Sequence, residues 1–297
     1  MIGLGEVLWD ILPSGKVLGG APANFAYMTN VLGDQGVVAS RVGDDELGRQ
    51  TRAVMQNLGL SAAYLQQDGQ RETGTARVAI DADGQPNFTI KESVAWDFLE
   101  WTPQWADLSG RADVVCFGSL AQRSSKSAET IKRFLQNAPA NAFRICDVNL
   151  RQSFYNQDLL RSSFQHAHLV KLNEEELIQV SSLLNLGMGR ERTLAERLRH
   201  EFDLRLVCVT RGSRGSLLVS ETQVVEHGGF QVKVADAIGA GDAFTACLAH
   251  YYLAGHTLEE ISEFANRFAS WVATQRGATP VVSPSRLQDI LNGVGTR

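Results

Sequence analysis

The chain has 297 residues, 44% of them hydrophobic and 21% charged, with a formal net charge of -5 and an isoelectric point near 5.7. That is enough to bury a large α/β core, and an acidic balance without any Lys/Arg-rich run argues against nucleic acid or an anionic membrane surface as the main partner. Glu6 and Asp10 interrupt the N-terminal apolar run, no stretch approaches a membrane span, and Cys116, Cys146, Cys208 and Cys247 have neither disulfide nor zinc spacing, so a cytoplasmic protein with buried free thiols is expected.

Residues 2–12 read as one buried strand with Asp10 near its C-terminal end. A carboxylate in an apolar run is costly to bury unless something satisfies it, so Asp10 is either a turn former or a ligand for hydroxyl groups. Gly19-Gly20-Ala21-Pro22-Ala23-Asn24 then leads into a helix with Phe25, Met28, Val31 and Leu32 on one side and Gly33 as its stop. The glycine pair permits close approach of the backbone to a ligand, and Asn24 offers a donor and acceptors; a plain strand-to-helix turn has the same look. A strand at 37–39 and a helix over 44–58, closed by Gly59, continue the pattern. From Glu72 the texture changes: 75–80 alternates, Asp83-Gly84 is a hairpin turn and 87–90 returns. Such an antiparallel insertion is expected to form a lid that excludes water from a site.

Strands at 113–117, 143–148, 168–172 and 205–210 alternate with helices at 125–137, 157–165, 174–184 and 193–201. This predicts a mainly parallel sheet with helices on both faces and a ligand crevice beyond the carboxyl ends of its strands. Asp10, Asp147–Arg151, Lys171–Glu176 and Thr210–Gly212 all fall there. Asn173 and Glu176, three apart on one helix face, could orient magnesium-bound water or simply cap a helix. Thr210 and Arg211 could lie along phosphates or form a turn, and Arg151 is a phosphate or lid-pairing candidate or an ordinary solvated arginine.

Val234–Asp236 reads as a short strand running into Gly239-Ala240-Gly241-Asp242 and a helix with Phe244, Cys247, Leu248 and Tyr251 at helical spacing. The amides and dipole of a helix N-terminus suit an anion. Asp242 is out of place beside a phosphate unless it accepts a proton from a hydroxyl while the amides stabilise a transferring phosphoryl group; the alternative is an N-cap on a tight turn. Thr257 and Glu260 then form a capping box for a helix carrying Ile261, Phe264, Phe268 and Val272, and one short helix follows Ser283. There is no Gly-x-x-x-x-Gly-Lys-Ser/Thr, and Gly3-x-Gly5 lacks a third glycine, which disfavours P-loop and dinucleotide-binding folds.

Together these residues resemble the ribokinase-like family of carbohydrate kinases, its fructokinase branch in particular, over essentially the whole chain. Asp236 to Asp242 matches the signature Asp-Thr-x-Gly-Ala-Gly-Asp with Ala237 in place of Thr, and Gly19 to Asn24 matches the N-terminal signature. Asn173 to Glu176 matches an Asn-x-x-Glu magnesium motif, and Asp147-x-Asn149-x-Arg151 a feature of fructokinase-like members. The resemblance implies a three-layer α/β/α fold over 1–297 with a mainly parallel central sheet and a small antiparallel β lid at about 12–20 and 72–98. It implies Asp242 as catalytic base, the Gly239, Ala240 and Gly241 amides as anion hole, and Asp10, Gly19, Gly20 and Asn24 on the sugar. Asn173, Thr210, Arg211, Gly212 and Asn266 would serve the nucleotide, and Glu176 would reach Mg2+ through water. Potassium would take Asp236 and the carbonyls of Ile238, Val272 and Gly277. A sugar and ATP are the expected partners, with a homodimer through the exposed lid. The chain lacks the sugar-binding glutamate of ribokinases, reading Gly118-Ser119-Leu120 instead, and this with Ala21-Pro22 points to a ketohexose. The expected activity is therefore a fructokinase. The alternatives are a kinase for ribose, 2-keto-3-deoxygluconate or a nucleoside, and a non-catalytic binding regulator.

Overall fold

The computed structural model describes residues 1–13, 15–80 and 86–293. The chain begins with β1 (Ile2–Leu4), β2 (Leu8–Leu12), β3 (Gly15–Gly19), α1 (Ala21–Val31), β4 (Val37–Gly43), α2 (Glu46–Asn57) and β5 (Leu65–Asp68). β6 (Gly74–Ile80) and β7 (Pro86–Ile90) follow, and the expected Asp83-Gly84 turn between them lies outside the described residues. The alternating part comprises α3 (Pro103–Ser109), β8 (Val114–Phe117), α4 (Ser125–Asn137), β9 (Phe143–Asp147), α5 (Gln157–Gln165), β10 (Leu169–Asn173), α6 (Glu174–Leu183), α7 (Glu191–Glu201) and β11 (Leu206–Thr210). It closes with β12 (Ser216–Ser220), β13 (Val224–His227), α8 (Ala240–Leu253), α9 (Leu258–Ala273) and α10 (Pro284–Leu291).

Nine strands form the main sheet in the order β13-β12-β11-β10-β9-β8-β1-β4-β5. It is parallel from β11 to β5, with β12 and β13 added antiparallel at one edge. Its strands are apolar on both faces because helices cover both. In β8, Val115 and Phe117 join a core with Trp105, Phe134 and Phe164, while Val114 and Cys116 join a second core with Phe25, Phe244 and Phe268. The same period of two places Asp147, in step with Phe143 and Ile145, and Lys171, in step with Leu169, on the face that α8 covers. All four cysteines are buried and free.

The apolar run at 2–12 proves to be two strands of different sheets. The chain leaves the main sheet at Gly5, with φ of 146°, because α1 packs against the backbone there: a Cβ on Gly3 would meet the Pro22 carbonyl at 2.1 Å. The second sheet has the order β3-β2-β6-β7, antiparallel in its outer pairs and parallel between β2 and β6. It therefore begins at Leu8, before the expected residue 12, and Asp10 stands on this small sheet and not at the end of a central strand. Residues 95–98 form a short 3-10 helix outside the small sheet, with the Trp96 side chain fully buried.

The short strand expected at Val234–Asp236 is not formed. A strand needs a neighbour along its edge, and here the Ala235 and Asp236 N–H groups both donate to the Ala273 carbonyl at the end of α9. Among the described residues no helix is long and apolar enough to cross a membrane.

Candidate active site

Gly239 caps α8 in the left-handed conformation, with φ of 78°, and a Cβ there would lie 2.7 Å from the Ala278 backbone. Only glycine fits, and the turn it makes aims the first amides of α8 outward. The Ala240 N–H is drawn back to the Ala237 carbonyl at 3.3 Å.

Asp242 Oδ2 accepts a hydrogen bond from Asn24 Nδ2 at 2.8 Å, joining two motifs from opposite ends of the chain. Burial and the charge of Asp147 push its carboxyl up to about 6, against the opposing pull of the Asn24 bond, Lys171 and Arg151. Behind it lies a buried ion pair: Lys171 Nζ donates to both oxygens of Asp147 at 3.0 Å. Thr245 Oγ1, one turn into α8, donates to Asp147 Oδ2 at 2.8 Å. The Lys171 ammonium touches the back of the glycine turn, since a Cβ on Gly241 would lie 3.1 Å from Nζ. Burial alone would discharge this lysine, but Asp147, Asp242 and Glu176 hold it protonated.

In front of Asp242 opens a cavity of about 820 Å³ between the two sheets, lined by Asp10, Gly19, Gly20, Asn24 and Arg151 among others. The glycines are there for space. A Cβ on Gly19 would strike Asp10 Oδ2 at 2.6 Å, and one on Gly20 the Glu6 carbonyl at 2.6 Å. Burial raises the Asp10 carboxyl, with Arg151 drawing it down. Arg151 sits in a loop where Asn149 and Gln152 hold φ of 45° and 49°, a left-handed conformation that non-glycine residues adopt at a cost. Gln152 Oε1 accepts the Ile90 N–H at 3.1 Å, which ties this loop to the small sheet.

Of the expected nucleotide residues, Asn173, Thr210, Arg211 and Gly212 lie outside this cavity, at the carboxyl ends of β10 and β11, where Asn173 and Thr210 are register partners. Asn173 and Glu176 form a reciprocal capping box, and Glu176 Oε1 also accepts the Leu150 N–H at 2.9 Å, linking this edge to the cavity in front of Asp242. Glu174 and Arg214 pair across to the Gly212 turn. Two expectations need correction. Arg211 is not presented as a free cation: Glu191 and Glu226 take its guanidinium. Asn266 is buried and donates to Ser216 Oγ at 2.8 Å and the Ser262 carbonyl at 2.7 Å, so it braces β12 against α9 and does not face an opening.

Asp236 accepts the Ile238 N–H at 3.0 Å and the Gly277 N–H at 3.1 Å, pinning those two segments together, while the Val272 carbonyl accepts the Gln275 N–H at 2.9 Å. Among the described residues no group of three or more His, Cys, Asp or Glu side chains is placed to hold a metal. The sequence reading gave no role to Glu6, Lys171 or Thr245. Glu6 and Lys171 carried the same signal as Asp10, a charge inside an apolar strand run, whereas Thr245 carried none.

A profile of the pfkB family carbohydrate kinases matches residues 14–286. The chain is 31% identical over 295 residues to a fructokinase of Escherichia coli, covering 93% of each, and 30% identical over 293 residues to a fructokinase of Vibrio alginolyticus, covering 92% of each. In fold it resembles the crystal structure of a fructokinase with bound ATP from Xylella fastidiosa, with a TM-score of 0.85 at 22% identity over 99% of this chain and 98% of that one. Matched by the family profile over most of its length, with its two signatures meeting at Asn24 and Asp242, the chain belongs to the pfkB family of carbohydrate kinases.

Proposed function

We propose that the protein is an ATP-dependent sugar kinase whose acceptor is fructose. The observation that carries this reading is the 2.8 Å contact between Asn24 and Asp242, which sets a carboxylate at the meeting point of a helix N-terminus and a cavity lined by Asp10, Asn24 and Arg151. Asp10, Gly19, Gly20 and Asn24 hold the sugar. With its carboxyl near 6, Asp242 is mostly ionised at neutral pH and accepts the proton of the primary hydroxyl as the oxygen attacks the γ-phosphorus in line. The new P–O bond forms as the bond to the ADP oxygen breaks, and ADP leaves with the electron pair. The Gly241 and Asp242 amides and the α8 dipole meet the charge on the transferring phosphoryl group, with the Lys171 ammonium behind them. The small sheet closes over the cavity to exclude water.

The nucleotide lies along Asn173, Thr210 and Gly212, with Arg211 and Asn266 bracing that edge. Magnesium, when bound, neutralises the triphosphate oxygens. Glu176 fits a water-mediated role, because both of its oxygens already accept an N–H. Asp236 and the carbonyls of Ile238, Val272 and Gly277 would supply oxygen ligands to a potassium ion. The open edge of β3 would pair two copies through their lids, and the cytoplasm is the compartment this reading assigns.

A coupled ADP-release assay over fructose, ribose, 2-keto-3-deoxygluconate and a nucleoside tests the proposal. Fructose is expected to give the highest kcat/KM. Preference for another acceptor would move the assignment to that sugar, and no turnover with any would favour a non-catalytic binding protein.

A further inference from the structure

Glu6 stands in the break between β1 and β2 with 6% of its surface exposed, and it lines the same cavity as Asp10, Gly20, Asn24 and Asp242. Its Oε2 has no hydrogen-bond partner among the described residues. Buried polar groups are almost always hydrogen-bonded, and a carboxylate oxygen left without a donor costs more than the bond it forgoes. The backbone offers it no room to move away. Gly20 lies against it so closely that a Cβ would fall 2.6 Å from the Glu6 carbonyl and 3.1 Å from the Val7 Cα.

Burial pushes the Glu6 carboxyl up to about 7, with the Glu6 and Ala21 N–H groups and Arg151 drawing it down. The side chain of Asp242 repels its ionised form, and Arg151, which attracts it, donates to the Leu150 carbonyl and Asn149 Oδ1 instead. A fixed, desolvated acceptor in the wall of a cavity that takes a polyhydroxylated ligand is complementary to a hydroxyl donor. We propose that Glu6 is a specificity-determining residue whose carboxylate accepts a hydrogen bond from one hydroxyl of the bound sugar, other than the hydroxyl Asp242 deprotonates. This rests on the sugar-kinase reading above. The burial of this carboxyl is then a stability cost retained for recognition.

The test is Glu6→Gln in the full chain, assayed with fructose and its monodeoxy analogues. The KM for fructose is expected to rise about 10- to 100-fold, the usual loss for a hydrogen bond to a charged group, while the KM for ATP stays within about twofold. The ligand-free Tm is expected to be unchanged or higher, because a neutral amide is cheaper to bury, and the Tm rise on adding fructose should shrink. The wild type should penalise one deoxy analogue that the variant no longer separates from fructose. Glu6→Asp, which keeps the acceptor but withdraws it by one methylene, serves the same comparison if the glutamine variant folds poorly. An unchanged fructose KM with unchanged discrimination overturns the proposal, as does a lower ligand-free Tm with recognition intact. An active wild type with an equally active variant sinks Glu6 alone, whereas a wild type that phosphorylates no sugar removes the kinase reading and this inference with it.

Discussion

Replacing Asp242 by Asn separates the catalytic role of this carboxylate from its structural one, because the two effects have opposite signs. Loss of a general base lowers kcat by about 10²–10⁴. The effect on folding follows from the carboxyl being raised from 3.8 to about 6 by burial and Asp147. Between those values the folded chain keeps a proton that the unfolded chain has released, so stability falls as pH rises through the window and is level above it. Two pH units at 1.36 kcal/mol each amount to about 3 kcal/mol of destabilisation at pH 8. Asp242→Asn lifts that load while its amide oxygen can still accept from Asn24. The variant should therefore melt about 5 °C higher at pH 8, with the difference closing below about pH 4. Scanning calorimetry across pH, together with the ADP-release assay, reads both quantities. The wild-type kcat/KM should show an acid limb near pH 6 that the variant lacks. Full activity in Asp242→Asn, or a lower Tm at pH 8, would refute the reasoning.

Lys171→Met leaves Asp147 buried without its cation and is expected to cost about 3–5 kcal/mol in urea denaturation; it should also move the acid limb above pH 6, because Lys171 lowers the Asp242 carboxyl. A limb at the unaltered pH would show that the ammonium does not act on the base. Gly239→Ala forces a side chain into a left-handed turn against Ala278, so a loss of about 1–3 kcal/mol and a fall in kcat beyond tenfold are expected, and a variant with wild-type kcat would detach the turn from catalysis. Glu176→Gln gives up an acceptor in its capping box and should lose about 0.5–2 kcal/mol. The magnesium needed for half-maximal rate should rise several-fold in that variant, and an unaltered requirement would leave Glu176 a cap alone.

Much of the fold was legible from spacing. The alternation from residue 113 to 210 specified the parallel sheet, since strands buried on both faces must be apolar throughout and the helices between them carry a 3.6 period. The capping box at Thr257 and the short helix after Ser283 were local matters that the structure bears out. Where the reading slipped, a distant partner had intervened. The run at 2–12 is continuous in hydrophobicity, but α1 packs on Gly3 and sends the chain into a second sheet. Arg211 looked like a phosphate cation until Glu191 and Glu226, both remote in sequence, took up its guanidinium.

By itself the sequence determined that Gly239-Ala240-Gly241 opens a helix and that Asp242 is a carboxylate out of place beside an anion, because propensity, glycine conformation and helix-end chemistry are properties of a few consecutive residues. Only the tertiary structure decided what Asp242 faces. Asn24 reaches it from the first helix, and the Lys171–Asp147 pair and Thr245 lie behind it. The empty acceptor of Glu6 opens on the same cavity. Burial and charge at a site are sums over neighbours brought together from separate strands, and no local pattern encodes that sum.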